Sequence, residues 1–116
     1  MPDDINVVEI DGVTVISIEL ESLMGMREVD RLAAEVEGQL NHGVTKLVLD
    51  FQKVRYAGSA ALGVMIATLK RMKANNGQMI LANAGAIAPL LKVARTQALF
   101  TTANNLNEAV RMLQPR

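Results

Sequence analysis

The stretch from Lys46 to Val64, KLVLDFQKVRYAGSAALGV, places the strongest constraint on the fold of this 116-residue chain. It starts with a nearly continuous apolar run from Leu47 to Phe51, which is typical of a strand covered on both faces in a parallel sheet. Small residues follow at 57–61, and apolar residues then recur at spacings of three and four, as on one face of a helix. The stretch therefore predicts a central strand, a tight turn and an amphipathic helix.

Ser59 lies at the predicted start of this helix, and two interpretations apply to it. The first is structural, because serine is a preferred N-cap whose hydroxyl accepts a hydrogen bond from an otherwise unpaired backbone N–H. The second is a phosphorylatable switch, since a helix N-terminus tolerates a phosphate through its free N–H groups and its dipole. Phosphorylation would add a charge of about −2 without unfolding the domain, and would change what docks there.

The N-terminal half predicts a hairpin followed by a helix. Ile5 to Ile10 and Val13 to Leu20 are rich in Val and Ile and are separated by Asp11-Gly12, which is a strong signal for an antiparallel hairpin beside the central strand. Within the second run apolar and polar residues alternate from residue 16 to residue 20, which predicts one buried face and one polar face. A helix from about Met26 to Leu40 provides the crossover that parallel strands require.

The C-terminal half continues the alternation of strands and helices. Gln78 to Ala82 is predicted as a strand, and a short helix with Pro89 in its first turn follows. The segment 99–101 is predicted as a short edge strand, and Asn105 as the N-cap of the last helix, with Glu108 placed for a capping box. We expect one α/β domain over residues 1–116, with a mixed sheet of four to five strands and about four helices.

Composition and charge exclude several classes of function. Twelve basic and twelve acidic residues give a formal charge of zero, which argues against a nucleic-acid binder. The chain has no cysteine and a single histidine, which argues against disulfides and transition-metal sites. The acidic segment MPDDINVVEI predicts no secretory signal, and the uncharged stretches fall short of the roughly 20 apolar residues of a membrane span. We expect a cytoplasmic protein without cofactor, metal or direct membrane insertion.

Two catalytic motifs partly match the helix start, but each lacks residues that its chemistry requires. Gly58 and Gly63 have the glycine spacing of a phosphate-binding loop, but Val64-Met65 stands in place of the lysine and hydroxyl residue that hold the phosphates. A hydrolase nucleophile elbow would need glycines two residues before and after Ser59, where this chain has Ala57 and Ala61. The only histidine, His42, precedes the serine, which is opposite to the chain order of these hydrolases. The sequence therefore predicts that the protein is not an enzyme.

The segment Leu23-Met24-Gly25-Met26 lies between the predicted hairpin and the first helix. Its two methionines have two interpretations: they fill a gap in the core, or they form an adaptable apolar contact surface.

The strand, turn and helix VRYAGSAALGV resembles the signature of STAS domains, the family of anti-sigma factor antagonists. Ser59 matches the phosphorylated serine of that signature, and Leu62 and Gly63 match the Leu-Gly that follows it. The segment LKVARTQALFTTANNLNEAV resembles the closing pattern of the family, so the resemblance extends from Val44 to the C-terminus. Gly58 stands where many members carry Asp or Ser, and Ala61 stands where Gly is usual.

The resemblance implies a non-enzymatic interaction module that binds an anti-sigma serine kinase while Ser59 is unmodified and is released when Ser59 is phosphorylated. It also implies a monomer or weak dimer. The contact patch expected from it comprises Leu23, Met24, Met26, Gly58, Ser59 and Ala60. Two alternatives stay open: a cytoplasmic subunit of a lipid or anion transporter, and a scaffold of a signalling assembly.

Overall fold

The computed structural model describes residues 4–115, and within that part of the chain it has seven strands and four helices. The strands are β1 (Ile5–Ile10), β2 (Val13–Ile18), β3 (Ser22–Leu23), β4 (Lys46–Asp50), β5 (Tyr56–Ala57), β6 (Gln78–Ala82) and β7 (Thr101–Ala103). The helices are α1 (Met26–Asn41), α2 (Ser59–Ala74), α3 (Ala88–Val93) and α4 (Leu106–Met112).

Five strands form the main sheet in the order β1-β2-β4-β6-β7. The β1–β2 hairpin is antiparallel and the other three pairs are parallel, which confirms the predicted mixed α/β sheet with β4 at its centre. The hairpin turns at Asp11 and Gly12, which have φ angles of 51° and 80°. Two positive φ angles in a two-residue turn match the twist of the flanking strands, which is why the Asp-Gly pair predicts the hairpin correctly.

Both faces of the sheet are covered. The larger core lies between one face and helices α1 and α2, with Leu47 and Leu49 of β4 at its centre. The smaller core lies on the other face, where Val48 packs with residues of α4. The alternation predicted from residue 16 agrees with the burial of Ile16 and Ile18 beside the half-buried Ser17, whereas Val13 and Val15, which precede it on β2, are buried in this smaller core.

A buried carboxylate fixes the end of β4. Asp50 Oδ1 accepts hydrogen bonds from Asn83 Nδ2 at 2.9 Å and from the backbone N–H of Gln52 at 3.1 Å. These bonds join the carboxyl ends of β4 and β6 and satisfy a carboxylate that would otherwise be costly to bury. From this hydrogen-bonded end of β4 the chain continues toward Ser59.

The ends of several elements differ in small ways from expectation. The last strand begins at Thr101, because Leu99 belongs to a 3-10 turn, Gln97–Leu99, that precedes it. Asn105 is the N-cap of α4 as predicted, and its Oδ1 accepts from the backbone N–H of Glu108 at 2.8 Å. None of the helices described between residues 4 and 115 has both the length and the apolar character needed to cross a bilayer.

Candidate functional site

A second, two-stranded sheet positions the segment before Ser59. Strand β5 pairs in parallel with β3, so that Tyr56 lies beside Ser22 and Ala57 beside Leu23. The backbone carbonyl of Glu21 accepts from the N–H groups of Arg55 at 2.7 Å and Tyr56 at 3.2 Å. This small sheet was not predicted, because two-residue strands are too short to show hydrophobic periodicity. It holds the loop containing Met24 against the start of α2.

The start of α2 differs from the expected serine cap. Gly58 is the N-cap, and Ser59 is the first residue of the helix. The prediction that the Ser59 hydroxyl caps the helix is wrong, because the side chain of the N-cap residue makes the bond and that residue is glycine. The helix start has no side-chain cap and no acidic residue in its first turn, so its partial positive charge is uncompensated there.

The Ser59 side chain is exposed at this helix start, and so is Ala60, while Gly58 is half-buried. The backbone N–H of Gly58 donates to the carbonyl of Leu23 at 3.4 Å, and the carbonyl of Gly58 accepts from Leu62 at 3.2 Å. The hydroxyl thus lies at the surface on a backbone that is held on both sides.

The two methionines of the preceding loop also lie at the surface. Met24 is 62% exposed and Met26 is 77% exposed, so the interpretation that they fill a gap in the core is wrong. Tyr56 is 58% exposed on the neighbouring strand and was not identified from the sequence. Exposed apolar side chains that form a contiguous patch are typical of protein contact surfaces.

Leu23 does not belong to this surface. Its side chain is 0% exposed and packs in the larger core, so its inclusion in the contact patch is wrong. Successive residues of a strand point to opposite sides, and β3 places Leu23 inward. Leu23 anchors the loop in the larger core, and Met24 is the residue that reaches the surface.

This end of the molecule presents a hydroxyl, apolar side chains and helix N–H groups. The carboxylate of Glu28 lies against Gly25, the N-cap of α1. Among residues 4–115, no group of three or more His, Asp or Glu side chains converges to hold a metal ion. The groups that the site offers are thus a serine hydroxyl at a helix start and exposed thioethers.

Comparison with known proteins agrees with this architecture. The model of the STAS domain family matches residues 4–109. BtrV of Bordetella bronchiseptica, assigned as an anti-sigma factor antagonist, is 24% identical over 102 residues, which cover 87% of this chain and 86% of BtrV.

Two solved structures have the same fold. An anti-sigma-factor antagonist (STAS) domain protein from Planctomyces limnophilus has a TM-score of 0.85 and 20% identity, over 98% of this chain and 100% of that one. The phosphorylated form of the Bacillus cell fate determinant SpoIIAA has a TM-score of 0.69 and 16% identity, over 95% and 99% of the two chains. With the family model matching nearly the whole length, the chain belongs to the STAS domain family.

Proposed function

We propose that this protein is an anti-sigma factor antagonist that binds an anti-sigma serine kinase through the surface around Ser59. Binding requires unmodified Ser59, and phosphorylation of Ser59 by the same kinase ends it. The observation that carries the proposal is the exposed Ser59 at an uncapped helix start, with the exposed Met24 against the preceding residue, Gly58. In this function the domain acts in the cytoplasm, without enzymatic activity and as a monomer or weak dimer.

The start of α2 suits a phosphate on Ser59. An anion near a helix N-terminus gains about 0.3–1 kcal/mol from the dipole at an exposed position. No acidic side chain of the first turn competes for that field. The neighbouring Ala60 is small and exposed, so a phosphate meets no bulky side chain there. Phosphorylation should therefore leave the domain folded.

The same phosphate is expected to oppose binding. The surface around Ser59 has an apolar character, given by Met24, Met26, Tyr56 and Ala60. A partner that packs on it must strip water from whatever charge it covers, and a dianion is costly to desolvate. The switch then operates through the surface charge and needs no change of fold.

The relatives support this proposal by analogy. BtrV is assigned as an anti-sigma factor antagonist, and SpoIIAA has been solved in a phosphorylated form. A fold of this kind is thus compatible with phosphorylation in SpoIIAA, and Ser59 is the exposed serine at the helix start in this chain.

The test is a binding titration against the purified anti-sigma serine kinases of the source organism. Native protein, Ser59→Asp and Ser59→Ala are compared by calorimetry. We expect Ser59→Asp to weaken binding at least about tenfold, equivalent to about 1.4 kcal/mol, and Ser59→Ala to bind like the native chain. Binding of Ser59→Asp at full strength would count decisively against the mechanism.

Gly58 favours a second candidate function, because the family signature more often has Asp or Ser at this position. That candidate is a subunit of a lipid or anion transporter, in which the serine need not be phosphorylated. Affinity capture distinguishes the two: transporter subunits retained equally by the native protein and Ser59→Asp would support the second candidate. A large particle in size-exclusion chromatography would instead indicate an assembly scaffold.

A further inference from the structure

Gly58, the residue before Ser59, has no local reason to be glycine. Its φ of −113° and ψ of −176° are extended values that any residue adopts. It is also the N-cap of α2, where Ser, Asp or Asn would supply a hydrogen bond that glycine lacks. Neither the backbone nor the helix cap accounts for the missing side chain.

The Met24 side chain lies where a side chain at position 58 would extend. A Cβ atom on Gly58 would lie 3.4 Å from Met24 Sδ and 3.7 Å from Met24 Cε. An alanine at position 58 would therefore just touch the thioether, and a longer side chain would compete with it for space.

Hydrogen bonds hold the backbone on both sides of this contact. The N–H of Gly58 donates to the carbonyl of Leu23, and the N–H of Met24 donates to Ser22 Oγ at 3.2 Å. Leu23 is anchored in the core, so the residue that follows it has little freedom to move away. Met24 nevertheless keeps most of its surface open to solvent.

We propose that Met24 supplies, from the neighbouring loop, the side chain that position 58 lacks, and thereby determines which partner is recognised. The partner then meets an uncharged thioether directly beside Ser59. The partner that the structure assigns to Met24 is a kinase that contacts position 58 with an apolar pocket lacking a charged group. This inference rests on the proposed function, since it names the kinase as the partner.

A thioether and a carboxylate favour pockets of opposite polarity. A methionine adapts its flexible, polarizable side chain to an apolar surface. A carboxylate in the same place would have to be desolvated without a compensating charge. A kinase suited to Met24 is therefore expected to reject an acidic residue at position 58.

The first experiment compares a polar with an apolar replacement of Met24. Met24→Gln, which keeps the length but adds a polar amide, and Met24→Leu, which stays apolar, are titrated against the kinase that binds the native protein. We expect Met24→Gln to bind about tenfold more weakly, as for a central contact residue, and Met24→Leu to stay within about threefold. Met112→Gln is the matched control, because Met112 is 45% exposed on α4, across the sheet, and should leave binding unchanged.

The second experiment restores the acidic residue of the family signature. Gly58→Asp adds a side-chain cap and a negative charge at a helix N-terminus, so the melting temperature should hold or rise. Kinase binding should nevertheless fall about tenfold. Because both changes disrupt one contact, Met24→Gln combined with Gly58→Asp should lose less affinity than the two single changes multiplied together.

The outcomes separate the two proposals. Native binding that is insensitive to Met24→Gln, or tighter binding by Gly58→Asp, would overturn the role of Met24 and leave the kinase function intact. If no anti-sigma kinase binds the native chain, the proposed function fails and this inference fails with it.

Discussion

Helices α2 and α4 begin in opposite ways. At α4, Asn105 Oδ1 accepts from the backbone N–H of Glu108, and Glu108 Oε1 accepts from the N–H of Asn104 at 3.3 Å. At α2, the N-cap is Gly58, and no side chain satisfies the first N–H groups. One helix start is thus closed by its own side chains, while the other is left available, and that is the one that presents Ser59.

The difference follows from what each helix needs for stability. The seven residues of α4 are too few for a stable isolated helix, so a cap contributes a large share of its stability. The sixteen residues of α2 bury a continuous face that includes Leu62, Met65 and Leu69 in the larger core. Packing stabilises α2 without a cap, and its N-terminus can therefore serve a function.

The largest expected effect comes from removing the support beneath the α2 start. Leu23→Ala deletes a fully buried side chain, which should lower the free energy of unfolding by about 2–5 kcal/mol. Urea titration measures it, with Met24→Ala as the exposed neighbour that should change stability by less than about 0.5 kcal/mol. Equal losses of stability from the two changes would contradict the assignment of Leu23 to the core and Met24 to the surface.

The next effect tests the closed helix start. Asn105→Ala removes the side-chain cap of α4 and should cost about 1 kcal/mol of stability, seen as a lower melting temperature. Partner binding should stay unchanged, because α4 lies on the other face of the sheet from α1 and α2. A loss of binding without a loss of stability would mean that α4 belongs to the interaction surface.

The smallest expected effect on stability comes from placing the same charge at the starts of α2 and α4. Ala60 and Asn107 are both the exposed second residue of their helices, α2 and α4. Glutamate at either position should stabilise the domain by about 0.3–1 kcal/mol through the helix dipole. Only Ala60→Glu should weaken kinase binding, since of these two helices only α2 begins within the proposed contact surface. Equal binding by Ala60→Glu and Asn107→Glu would remove Ala60 from the surface.

The sequence predicts the main sheet well because the physical signals for it are local. The Asp11-Gly12 pair specifies the hairpin turn, and hydrophobic spacing identifies α1 and α2. The smaller core was partly missed, because the burial of Val13 and Val15 depends on α4, which lies far away along the chain.

The details of the site were harder to predict because they depend on backbone pairing. The β3–β5 pairing involves two residues in each strand, too few to leave a pattern, yet it decides that Leu23 points inward and Met24 outward. The identity of the cap was wrong by one residue, since glycine and serine are both acceptable at a helix N-cap. The contact between Met24 and Gly58 depends on the pairing of β3 with β5, which no local sequence pattern predicts.

Phosphorylation itself is the direct test of whether a phosphate at the uncapped start of α2 switches partner binding. Native protein and Ser59→Ala are incubated with the purified anti-sigma kinase and ATP, the modified residue is mapped by mass spectrometry, and the affinity of the phosphorylated protein is measured. We predict one phosphate, on Ser59 alone, and an affinity at least about tenfold below that of the unmodified chain. A phosphate on another residue, or equal affinity of the two forms, would contradict it.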